Sequence, residues 1–172
     1  MTTSTFDAAV VKGIMQDALS FTAAKSGLAG GEQSQAAVRR GECAVCEYLR
    51  YGLALGVAKY LGSMDDAIKA VYTYDPEYAT ANDGVFDGGP RRSPGISLIA
   101  WANRKSAALS SVVGMLSAAI GEELKRLACP HGNALCMMLD VQVIDDSDVE
   151  ARSGYGALVN SLFVSPLEVW RR

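Results

Sequence analysis

The chain has 172 residues, 49% of them hydrophobic and 20% charged, with a formal net charge of −3. This is the composition of a single globular domain spanning residues 1–172. It excludes a disordered chain and a protein that collects nucleic acid through a global basic field. A chain of this length buries a core without disulfide or metal staples, so a metal would be an addition to the fold and not its condition.

The opening "MTTSTFDAAVVKGIM" has no basic segment followed by an apolar run and does not read as a secretory signal. Residues 7 to 25 then repeat Val11, Ile14 and Ala18 at helical spacing, with Asp7 as the cap. "SGLAGGEQS" breaks that pattern as a loop. A second helix is expected from about Gln33 to Leu61, with Cys46, Leu49, Leu53, Val57 and Tyr60 on one stripe. Gly52 and Gly56 lie beside the stripe, where they allow another helix to approach closely. "GSMDD" reads as the start of a short helix capped by Ser63 and carrying Ile68 and Val71.

From Tyr74 to Gly95 the apolar period fails, and the glycines and prolines of "DPEYATANDGVFDGGPRRSPG" predict a flexible loop over about 74–95. A long central helix is expected from about Ser97 to Leu127. Leu109, Val113, Leu116, Ile120, Leu124 and Leu127 form its large stripe. Ala107, Ser110, Gly114, Ala118 and Gly121 form its small stripe, which is expected to touch another helix or a second copy. The uncharged part of this segment, "SAALSSVVGMLSAAIG", is rich in serine and shorter than the roughly 20 apolar residues that span a bilayer. No membrane is expected, and a cytoplasmic protein with reduced cysteines is.

After this the period changes to two. "LCMMLDVQVID" alternates Leu135, Met137, Leu139, Val141 and Val143 against Cys136, Asp140 and Gln142, as a half-buried strand does. "DDSDVEARSGYG" reads as an acidic turn and "ALVNSLFVSP" as a second strand. The expected fold is therefore mainly α: a multi-helix bundle around one long central helix, with a C-terminal antiparallel β-hairpin.

The chemical candidates are few. Cys43 and Cys46 stand one helical turn apart, and Cys129, His131 and Cys136 straddle a turn, so thiolates and one imidazole could hold zinc or an iron–sulfur cluster. Against this, Cys46 belongs to an apolar stripe and C-x-H-x-x-x-x-C is not a repeated C-x-x-C. Arg91 and Arg92 in "GGPRRSPG", extended by Arg104 and Lys105, could hold an anion or phosphate, but the P-loop spacing is missing. Nucleic acid is thus a weaker expectation than a protein partner. Asp145, Asp146, Asp148 and Glu150 lack calcium-loop spacing and are expected to keep a loop soluble, or to pair with Arg91 and Arg92 of another copy. No nucleophile with its base can be assembled, so no catalytic residue is assigned.

"YLRYGLALGVAKYLG", "SAALSSVVGMLSAAIG" and "CPHGNALCMMLDVQV" resemble, in order and texture, segments of the vinyl-reductase-type sensor domains and their vesicle-tethering relatives. The resemblance implies cysteines that hold zinc and an interior that takes an apolar ligand. It also implies strands between the second and the long helix, where this chain reads as loop. The expectation is a non-catalytic binding or assembly protein that forms a homo-oligomer and carries no cofactor. The alternatives are a cysteine-based metal or redox sensor and a phosphate or nucleic-acid binder.

Overall fold

The computed structural model describes residues 7–74, 95–128, 139–162 and 165–172. Helix α1 (Ala8–Ser26) starts where Asp7 accepts a hydrogen bond from the Ala9 N–H and stops where Gly27 turns left-handed at φ 67°. The stretch expected as one second helix is two: α2 (Gly31–Arg39) and α3 (Cys43–Met64). The break falls at Gly41, whose φ of 73° no helix accommodates. Helix α3 buries most of its circumference, from Val45 to Leu61, and leaves Glu47, Tyr48, Tyr51 and Lys59 exposed. Its glycines admit neighbours: a Cβ at Gly52 would stand 3.1 Å from the backbone of Ala18, and one at Gly56 3.0 Å from Ile14.

The expected helical bundle with a C-terminal hairpin is not what the chain builds. Its architecture is mixed α+β, with a four-stranded mixed sheet in the order β3-β2-β1-β4. Strand β1 (Ile68–Tyr74) replaces the expected short helix, and Ser63 is no cap but bonds back to the Tyr60 carbonyl inside α3. Ile68 and Val71 fit helical spacing only because a register shift between Ile68 and Ala70 brings both to the helix-covered face. Strand β2 (Ile96–Ala102) takes what was expected as the first turns of the long helix. "ISLIAWA" is buried on both faces, and such a run has no period to separate strand from helix. The long helix, α4 (Ala107–Ala128), begins only after Ser106, whose Oγ accepts from the Leu109 N–H.

Strand β3 (Leu139–Ile144) runs parallel to β2, and β4 (Leu167–Arg171) pairs antiparallel with β1. The two late strands are therefore the opposite edges of the sheet and not a hairpin. The segment expected as the second strand instead holds α6 (Gly156–Val159), which follows α5 (Asp146–Glu150). Strands β1 and β2 lie between α3 and α4. The 74–95 loop expectation falls, for residues 75–94, outside the described residues.

One face of the sheet carries the main core. Ile68, Val71, Leu98, Ala100 and Leu139 pack there with Leu49, Leu53, Val57, Leu116, Ile120 and Leu124. The other face carries a smaller cluster of Ala70, Tyr72, Ile99, Ile144 and Val149, roofed by α5 and α6. Helix α4 is long and apolar enough to cross a membrane by length and composition, but its large stripe is buried in the domain core.

Candidate groove between strand β3 and helix α4

The small stripe of α4 does not touch another helix among the described residues. Ala107, Ser110, Gly114 and Ala118 are exposed and Gly121 half-buried, and a Cβ at Gly114 or Gly121 would meet nothing within 4 Å. The stripe opens instead onto a groove of about 470 Å³. Ser110, Val113, Gly114 and Ser117 of α4 form one wall; Leu139 to Val143 of β3 form the other, with Lys105 at one end.

Among the described residues the β3 wall is a sheet edge, so every second backbone N–H and C=O along it points away from β2. Its side chains alternate. Val141 and Val143 pack partly against the main core, while Asp140 is exposed and accepts from the Gln142 amide. The register against β2 is unbroken from Leu139 to Ile144. The other edge is different: β4 has a register shift opposite Val71–Tyr72 and carries the Glu168–Arg171 ion pair, with Arg171 also donating to the Tyr72 hydroxyl. A bulge and edge charges are devices that discourage strand addition. Strand β3 has neither in its Val141–Gln142–Val143 centre.

The acidic run is occupied within the chain. Asp145 caps α5 in a reciprocal capping box with Asp148. Asp146 accepts from Lys69 at 2.7 Å and from the Trp101 indole at 2.9 Å, and Lys69 lies 5.3 Å from the Trp101 ring centroid. Lys105 pairs with Asp148 at 2.6 Å. These bonds hold the three carboxyls below the usual carboxylate range: Asp145 chiefly through Ser147, Asp146 through Lys69, and Asp148 through Lys105. The same contact raises the Lys105 ammonium. Lys105 is therefore engaged by an acid, whereas Arg104 is exposed.

Of the candidate metal ligands, Cys46 is buried in the core beside Leu49 and Leu53. Cys129, His131 and Cys136 lie outside the described residues, as do Arg91 and Arg92. No cluster of three or more metal-ligating side chains occurs among the described residues. On the far face of the sheet, the Tyr74 ring packs tilted against Tyr155 at 5.6 Å between centroids, and its hydroxyl pKa is raised, first by burial and then by the bond to Tyr155.

No family model, curated protein or solved structure matches the chain. The sequence identified the small stripe and the β3 alternation separately. It did not show that they border one groove, because that depends on β2 standing between β1 and β3.

Proposed function

We propose that the chain is a non-catalytic binding or assembly module that works through the groove between β3 and α4. The observation that supports this reading is that, among the described residues, a sheet edge without a paired strand lies beside a small-residue helix face with no neighbour. Strand addition supplies main-chain hydrogen bonds, and a small-residue wall lets the incoming chain come close. A photoreactive side chain installed at Gly114 in living cells is expected to capture a polypeptide. The same group at Lys59, on the exposed side of α3, is expected to capture none. Equal capture at both positions, or none at Gly114, would overturn the reading.

A further inference from the structure

We infer that strand β4 is a strap: it opens from β1 as a unit while the rest of the domain stays folded, and Arg172 is the clasp that keeps it closed. The strap forms the sheet edge opposite the groove. It buries little of itself. No residue from Leu167 to Arg171 is buried, Leu167 is 55% exposed, and Val169 and Trp170 pack only partly against the main core. Strand β2, by contrast, is buried along nearly its whole length. Strand β4 pairs with β1 alone, and a register shift interrupts that ladder. The cost of opening a segment follows the apolar contact it loses, so a strand with this burial separates at less than the cost of unfolding the domain.

What holds the strap is concentrated at one end. The Trp170 indole fills the notch left by Gly62 of α3, where an added Cβ would overlap the ring. The Arg172 main-chain N–H donates to the Lys69 carbonyl at 2.9 Å. Its guanidinium reaches the end of α3: Nη2 donates to the Gly62 carbonyl at 2.7 Å, Nε to the Ile68 carbonyl at 3.3 Å, and Nη1 to the Asp66 carboxylate. Helix α3 has no basic residue in its last turn, and its C-cap, Asp65, is extended, so α3 supplies no cation of its own to the negative end of its dipole. Arg172 supplies one from 110 residues away in sequence. The Asp66 side chain is 96% exposed and adds little. The partly buried bonds to the Gly62 and Ile68 carbonyls carry the clasp, and a planar fork spans both where an ammonium would make one point contact. One side chain thus completes a helix end and closes the strap. With the strap open, β1 loses its partner on that side and the Gly62 notch is uncovered.

The test is amide hydrogen exchange, resolved by residue, on the purified full chain under native conditions. In the wild type, β4 amides are expected to exchange about tenfold or more faster than β2 amides, each relative to its intrinsic rate. Arg172→Ala is expected to speed the β4 amides about a further tenfold and to leave those of β2 and α4 unchanged. Arg172→Lys keeps the charge and loses the fork, so its β4 rates are expected to fall between the two. If Arg172→Ala does not fold, the wild-type rates and Arg172→Lys decide. Wild-type β4 and β2 amides that exchange together would show that the strand leaves only when the domain unfolds, and would overturn the inference. So would Arg172 variants that leave the β4 rates unchanged, or that speed β2 and α4 as much as β4.

Discussion

Helices α3 and α4 have the same length, 22 residues, and both carry glycines among apolar residues, yet their glycines have opposite surroundings. In α3 each glycine has an occupant: Ala18 and Phe21 at Gly52, Ile14 at Gly56, and the Trp170 indole at Gly62, where an added Cβ would overlap the ring. In α4 the space above Gly114 and Gly121 is open. A missing side chain is thus a packing device in α3 and an uncovered surface in α4. A glycine in a helix costs backbone entropy wherever it stands. In α3 that cost is offset inside the domain, and in α4 nothing among the described residues of the same chain offsets it.

The sharpest way to break this comparison is overpacking. Gly52→Leu would drive a side chain into the α1 backbone and is expected to destabilise the chain by about 3 kcal/mol, read by urea denaturation. A loss under about 1 kcal/mol would show that α1 can move aside and that the α1–α3 contact is loose. Gly62→Ala comes next, at about 2 kcal/mol, because the rigid indole of Trp170 must move and β4 with it. Pairing it with Trp170→Ala should recover part of the loss, and an additive double variant would place the strain elsewhere.

The comparison is sharpened by a change of opposite sign. Gly114→Ala adds a methyl group in open space and removes the glycine penalty, so at dilutions where the chain is monomeric it should gain about 0.5–1 kcal/mol. A net loss would mean that Gly114 is already closely packed in the isolated chain.

The smallest expected effect concerns pH. The carboxyl of Asp146 is held below its ordinary value by Lys69 and Trp101. Its contribution to stability is present above the unfolded carboxylate pKa of about 3.9 and is lost as pH falls through the lower folded value. Solvent exposure keeps the effect small. In a Trp170→Phe background, Trp101 fluorescence should therefore change little from pH 7 to about 5 and shift below about 4. In Asp146→Asn that acid step should disappear.

The sequence by itself determined those features whose cause is local. Asp7 and the period of Val11, Ile14 and Ala18 specify α1, and the large stripe from Leu109 to Leu127 specifies the buried face of α4. Leu139, Val141 and Val143 read correctly as one face of a strand. Gly52 and Gly56 were legible as a close helix contact because their cause is the absence of a side chain. Only the tertiary structure decided the sheet. "ISLIAWA" is covered on both faces, so no alternation marks it as a strand, and a register shift in β1 disguises Ile68 and Val71 as helical neighbours. The candidate groove follows the same division. Its two walls were visible as separate patterns, but β3 becomes an edge only because β2 pairs with it in parallel on one side and nothing described pairs with it on the other. Strand neighbours are set by long-range pairing across the whole chain, and a local sequence pattern carries no record of which strand will lie beside which.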